Sequence, residues 1–381
     1  MNEPVWRAPG VPLLLAMTAL GFSGYAALLP VAPLWAVHGG ADATGAGLVN
    51  GVLMLVTVLT QVVVPTALRR LGWAPVLVAG MLFLGLPSAA FGVSDALGPV
   101  LALSALRGVG FGVVTVTGSA LVAELVEPAR RGRAIGAYGL AIAGPQVLFL
   151  SAGPWIVEKL GYGVVFAVGV LPALGAVPAL ALARRLEHVP EPQDRAPYLR
   201  LLRPMLLLLG VTLAGGALIT FMAQMSSSAA LSTLALLLLS VTAAIARWRV
   251  GGLADRLGPH RFLWPLVLLT GVGMAMVAWA VRDPAATHTA ALLAGATVVG
   301  ICYGALQNLT LVLAFRSVDR PHYGSASAVW NVGFDAGTGL GAVVIGAVAA
   351  GTSFSTAVLV GGVVSLLTLP LALRRPASRP R

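Results

Sequence analysis

Long apolar runs separated by short polar connectors dominate the chain. A helix that crosses about 30 Å of hydrocarbon at 1.5 Å per residue needs roughly 20 residues. Twelve runs have about that length: 11–36, 45–68, 75–93, 98–124, 134–157, 163–183, 204–224, 229–250, 262–281, 287–315, 324–350 and 354–373. The connectors are short, so neighbouring helices are predicted to be antiparallel. The longest is RRLEHVPEPQDRAPYLRLLR at 184–203, with three prolines and alternating charges, and it divides the runs into two sets of six. The first run starts near the N-terminus and continues to about Trp35, which reads as a first membrane helix rather than a cleaved leader.

Composition strengthens this picture. Hydrophobic residues make up 58% and charged residues 10% of the 381 positions, and the mean hydropathy is +0.92. Soluble domains are about 25% charged, so the chain reads as an integral membrane protein. The net charge of +11 does not indicate nucleic acid, because the basic residues are spread through the connectors. With the N-terminus inside, the arginines, including Arg247 and Arg249 at the end of helix 8, fall on the cytoplasmic side. Lys159 and Arg282 fall outside, and Arg107 within helix 4. This asymmetry predicts a multi-pass protein with cytoplasmic N- and C-termini, and the tail LRRPASRPR reads as a cytoplasmic anchor. The single cysteine, Cys302, allows neither an internal disulfide nor a thiolate metal site.

The two sets of runs are related. RGVGFGVV…VEPARRG from Arg107 to Gly132 parallels VGICYGAL…VDRPHYG from Val299 to Gly324, pairing Gly108 with Gly300 and Gly112 with Gly304. PTALRRLGWAP at 65–75 parallels GGLADRLGPHR at 251–261. Such repeats around a central linker predict two bundles: residues 1–183, a cytoplasmic linker at 184–203, and residues 204–381 with the short tail. The expected fold is an all-α membrane protein with twelve transmembrane helices in two pseudo-symmetric six-helix bundles. Gly108, Gly110 and Gly112, and the pair Gly337 and Gly341, read as close-packing positions.

GGLADRLGPHR closely resembles the loop signature G-x-x-x-D-R-x-G-R-R of the major facilitator superfamily, kept here as Gly251, Asp255, Arg256 and Gly258. The first copy is degraded, with Pro65 in place of glycine and Arg69 in place of the aspartate. Arg107–Gly112 resembles the family's fourth-helix signature loosely. Gly144-Pro145 and Gly153-Pro154 give an incomplete form of the antiporter signature of helix 5. The stretch 307–341, with Gln307-Asn308, Trp330-Asn331 and Phe334–Gly339, is similar to bacterial sugar or arabinose-type efflux permeases. The resemblance spans essentially the whole chain. It implies a monomeric transporter of the bacterial inner membrane, with protons as the coupling ion and helices 1, 4, 7 and 10 lining a cavity for a small-molecule substrate.

Within that frame Asp335 stands out, because every other acid lies at or near the end of a run. A carboxylate inside an apolar span is costly and marks a functional site by default. Asp335 is expected about 18 Å from the inner end of helix 11 and Arg107 about 13 Å from the outer end of helix 4, similar depths in the bilayer. The expectation is that Asp335 takes up and releases a proton, with Arg107 or a basic substrate as its competing cation; capping or bonding at a packed helix interface is the bland alternative for Asp335, and a structural hydrogen-bond hub for Arg107. The repeat puts Ala143 opposite Asp335, so the repeat itself does not require the charge. By the resemblance, Tyr25, Thr115, Thr220, Gln224, Tyr303, Gln307, Asn308 and Asn331 are substrate-contact candidates; helix–helix bonds would satisfy their polar groups equally well. Gly251, Asp255, Arg256, Gly258 and Arg316 are gating candidates, with Asp255 pairing with Arg316 or resting at a helix N-terminus.

The sequence contains no nucleotide-binding loop, no metal-ligand cluster and no Ser/His/Asp arrangement, so neither an enzyme nor a cofactor is expected. An ion or solute gradient is then the energy source. The favoured expectation is export of a drug, sugar or metabolite by proton antiport with alternating access. Uptake by symport or uniport is the alternative, and a non-transporting membrane sensor comes behind both.

Overall fold

The computed structural model describes residues 9–126, 131–186, 197–283, 286–319 and 322–374. Among these residues twelve helices are long and apolar enough to cross a membrane, one for each predicted run, and no strand is present. They are α1 (Val11–His38), α2 (Ala43–Leu71), α3 (Trp73–Val93), α4 (Leu97–Leu125), α5 (Gly136–Leu160) and α6 (Tyr162–Ala183). The second set is α7 (Tyr198–Met225), α8 (Ala229–Leu257), α9 (His260–Ala280), α10 (Thr289–Arg316), α11 (Tyr323–Gly351) and α12 (Phe354–Leu373). The protein is therefore a multi-pass membrane protein.

Local chemistry sets the ends of these helices. Asp42 caps α2 by accepting a hydrogen bond from the Gly45 N–H at 2.8 Å. Ser353 caps α12 by accepting one from the Thr356 N–H at 3.1 Å. α2 and α8 end at glycines in the left-handed region, Gly72 at φ 77° and Gly258 at φ 83°. Gly258 donates its N–H to the Ala254 carbonyl at 3.0 Å, closing the last turn. A side chain in this conformation costs roughly 1–2 kcal/mol. Gly258→Ala is therefore expected to lower stability by about that amount, read as an earlier thermal unfolding in detergent. Gly252→Ala, at an open helical position with nothing within 4 Å of an added Cβ, should leave the unfolding temperature in place.

Two helices run further than their apolar runs. α7 begins at Tyr198, so the last six residues of the expected linker, through Arg203, are helical. Arg203 is held there by donating from Nε to the Leu371 carbonyl at 3.0 Å. α8 continues past Val250 through Gly251 and Gly252 to Leu257. Arg247 and Arg249, at the cytoplasmic end of the 229–250 run, therefore have two further helical turns beyond them. Gly251 faces α10, where an added Cβ would lie 3.6 Å from Asn308 Nδ2. In α5, Pro145 removes one backbone donor, and the helix answers with a π-helical turn at Gln146–Leu150.

The internal repeat is visible in the packing. A Cβ built on Gly108 would lie 2.5 Å from the Leu53 carbonyl oxygen of α2, and one on Gly112 would lie 2.7 Å from that of Thr57. In the second set, Gly300 and Gly304 of α10 meet the carbonyls of Leu239 and Ala243 of α8 in the same way. The α4/α10 positions differ by 192 residues (300 against 108, 304 against 112) and the α2/α8 positions by 186 (239 against 53, 243 against 57). Gly258 against Gly72 gives the same 186. Gly337 and Gly341 of α11 likewise pack on α7, against the backbone of Leu209 and Leu213.

The chain forms two compact units, Met1–Pro192 with Ile219–Leu237 and Gln193–Leu218 with Leu238–Arg381. The boundaries at 218/219 and 237/238 fall inside α7 and α8.

Candidate functional site

The first unit holds Tyr25, Arg107, Thr115, Thr220 and Gln224. Arg107 on α4 is fully buried. Its Nη2 donates to the Gly24 carbonyl of α1 at 3.1 Å, and its guanidinium carbon lies 6.0 Å from the centre of the Phe91 ring. Among the described residues Nε and Nη1 have no hydrogen-bond partner. Tyr25 is within electrostatic range and is itself buried, stacked on Phe111 at 3.8 Å and 4°. A buried cation with spare donors is costly and implies water or an anion at that place.

Three further residues of this unit are engaged in different ways. Thr115 accepts a hydrogen bond from Gln61 Nε2 at 3.1 Å, tying α4 to α2. Thr220 is 1% exposed and accepts one from Asn50 Nδ2 at 2.9 Å, while the same amide nitrogen donates to the Leu29 carbonyl at 2.8 Å. Gln224 Nε2 is buried without a partner.

The second unit holds Tyr303, Gln307, Asn308, Asn331 and Asp335. Asp335 is 2% exposed. It lies twelve residues after the start of α11 at Tyr323, about 18 Å along the axis. Tyr303 on α10 is hydrogen-bonded to Thr338, one turn beyond Asp335, and lies within electrostatic range of both Asp335 and Arg247. Arg247 donates from Nη1 to Gln307 Oε1 at 3.1 Å. Asn308 donates from Nδ2 to the Arg247 carbonyl at 3.0 Å, a bond between helices. Asn331 is half-buried one turn before Asp335.

Asp335 and Arg107, paired by depth in the sequence reading, belong to different units. Within its own unit, Asp335 shares Tyr303 with Arg247: both lie within electrostatic range of that hydroxyl. The sequence did carry a sign of this. Extending the 65–75 and 251–261 alignment upstream by four residues sets Arg247 opposite Gln61, in the middle of an apolar run.

Of the gating candidates, Gly258 ends α8 and Gly251 faces Asn308 of α10 with room for an added Cβ. Arg256 and Arg316 are exposed, and Arg316 lies within electrostatic range of His260, as does Arg203. The side chain of Asp255 lies outside the described residues, and so do Arg320 and residues 187–196 of the linker. Among the described residues no group of three or more His, Cys, Asp or Glu side chains is placed to hold a metal ion.

Residues 14–281 and 204–381 match the family described as Major Facilitator Superfamily. A probable 4-methylmuconolactone transporter from Cupriavidus pinatubonensis (strain JMP 134 / LMG 1197) is 31% identical over 109 residues, covering 27% of this chain and 25% of the relative. The match thus spans a quarter of that curated relative's length. Among solved structures, an inward-facing, unoccupied bacterial homologue of the human lysosomal transporter Spinster aligns with a TM-score of 0.77 at 14% identity, covering 98% of this chain and 97% of that one. A D-xylose–proton symporter aligns at 0.73 and 12% identity, covering 95% and 96%. A nucleoside transporter aligns at 0.70 and 13%, covering 96% and 99%. At these identities the likeness is one of fold.

Proposed function

The chain belongs to the major facilitator superfamily, and from that premise we propose that it is a proton-coupled secondary transporter of a small organic molecule, with Asp335 as the group that carries the proton. The observation behind the proposal is the burial of Asp335 about 18 Å into a membrane helix, in a repeat whose other copy has Ala143 at that position. A carboxylate there is either neutral or held by polar partners, and cycling between the two states couples a proton to movement of the protein. The two halves of the repeat expose the site to each side of the bacterial inner membrane in turn, with both termini in the cytoplasm. In the second unit Tyr303, Gln307 and Asn331 are the proposed substrate contacts, and in the first unit Tyr25, Thr115, Thr220 and Gln224 are. Arg107, with two donors to spare, takes part in the coupling by receiving an anion or water. Asp255, with Arg256 and Arg316, holds the cytoplasmic gate, and the protein acts as a monomer.

One carboxylate supports two senses of coupling. A substrate that displaces the proton from Asp335 is exported by antiport, the sense expected from the sequence. A substrate that binds together with the proton moves by symport. The second sense is favoured by Arg247, whose positive charge acts on the same tyrosine as Asp335. An anion drawn to Arg247 is repelled by an ionised Asp335 and tolerated by a protonated one.

The test is a pH-sensitive dye sealed in proteoliposomes. Substrate added outside acidifies the lumen under symport and alkalinises it under antiport. Transport with no change in lumenal pH in either direction would refute proton coupling.

A further inference from the structure

We infer that Arg247 is the anion-binding point of the substrate site, and that the substrate class is an organic carboxylate with an apolar or aromatic body. This deepens the transport reading above and rests on it for the word substrate, but the binding site itself stands on separate observations.

The first is position. Arg247 lies ten residues before the end of α8 at Leu257, about 15 Å along the helix. Its face of α8 is the one turned to α10: Ala243, one turn before, meets Gly304, and Gly251, one turn after, meets Asn308. The bilayer-type face is different and carries Ile245, Trp248 and Leu253, all exposed. Arg247 is nevertheless exposed as a residue, on a side of the helix that faces protein.

The second is the setting of the charge. A guanidinium offers five N–H donors, and among the described residues one of them is taken, by Gln307 Oε1. Below it lies an aromatic ledge. The guanidinium carbon is 5.9 Å from the centre of the Trp330 ring, Trp330 stacks with Phe334 at 5.8 Å, and Phe334 lies 6.0 Å from Tyr303. The ledge is fixed, because the Trp330 indole N–H donates to Thr310 Oγ1 at 3.1 Å. A forked cation beside a rigid apolar surface fits a carboxylate joined to an apolar body: the fork takes the two oxygens and the rings take the rest.

The third is an internal control. In the first repeat, Gln61 occupies the place of Arg247 and Thr115 that of Gln307, at offsets of 186 and 192. They make the corresponding bond, from Gln61 Nε2 to Thr115 Oγ1 at 3.1 Å. The fold therefore needs a hydrogen-bond donor at this position and is served by a neutral amide. A charge placed there instead is costly in a membrane and is not explained by helix packing.

The test uses purified full-length protein in lipid nanodiscs, with benzoate, phenylacetate and hexanoate as probes, each against its neutral amide. Binding is followed by quenching of tryptophan emission and by ligand-dependent shifts in unfolding temperature. The acids are expected to bind at least about tenfold more tightly than the amides, the scale of one charged hydrogen bond. Arg247→Gln, which copies the first repeat, should abolish that preference while keeping the elution volume and unfolding temperature of the empty protein. Arg247→Lys should restore part of it. Acids that bind no better than amides, no binding of any probe, or an acid preference that survives Arg247→Gln would each overturn the assignment. Failure of the transport reading has a different signature: Arg247-dependent benzoate binding with no uptake in proteoliposomes, which leaves the anion site standing.

Discussion

Asp335→Asn abolishes gradient-driven accumulation while leaving substrate exchange across the membrane close to the wild-type rate. The amide copies the shape and hydrogen-bonding of a protonated carboxyl but cannot release a proton. Each pH unit across the membrane contributes about 1.4 kcal/mol, or roughly tenfold accumulation per coupled proton. The variant loses that factor, and its substrate only equilibrates. Counterflow, in which labelled substrate outside exchanges with unlabelled substrate inside, needs the loaded protein to reorient but no net proton movement, and it persists. Both assays can be run on the same proteoliposomes. Full pH-driven accumulation in the variant would remove Asp335 from the coupling. Loss of counterflow together with accumulation would instead make Asp335 a substrate contact or a structural residue.

The second large effect is expected at the repeat's glycine contacts. Gly304→Leu is predicted to leave no folded protein in detergent, and Gly304→Ala to cost about 1–3 kcal/mol, the usual penalty for added bulk in a packed interior. A Cβ on Gly304 would run into the carbonyl and Cα of Ala243, which are backbone atoms and cannot turn aside as a flexible side-chain end would. Gly144 of α5 has nothing within 4 Å of an added Cβ, and Gly144→Ala serves as the control. The readout is the monodisperse fraction on size exclusion and the midpoint of thermal unfolding. Equal stability of the two alanine variants would mean that α8 and α10 can move apart at little cost.

These two residues also mark what the sequence could and could not convey. Twelve spans were legible because crossing hydrocarbon demands long apolar runs, and that demand leaves little choice of residue. The repeat was legible at Gly108 and Gly112 against Gly300 and Gly304 because only glycine permits backbone contact at those points. Asp335 was legible because a lone acid in an apolar run has no bland compositional cause. Arg247 was not singled out because α8 outlasts its apolar run: Arg247 and Arg249 sit at the end of that run and the Gly251-Gly252 pair looks like the start of a connector, although the helix continues to Leu257. Helix ends in a membrane protein are set by caps such as Gly258, and hydropathy does not register them. Partners were also beyond the sequence. That Thr220 meets Asn50, or that Asn308 bonds the carbonyl of Arg247 and so ties two helices together, depends on which faces of the helices meet.

Arg247 finally bears on how the protein responds to voltage. An organic anion that travels with one proton carries no net charge, so an inside-negative membrane potential neither drives nor opposes that cycle. The opposite sense, an anion leaving as a proton enters, would move two charges per cycle and draw about 4.6 kcal/mol from each 100 mV. Under the proposed symport of an organic anion bound at Arg247, accumulation is expected to follow acidity alone, and a potassium diffusion potential imposed across proteoliposomes is expected to leave the rate of loaded transport unchanged.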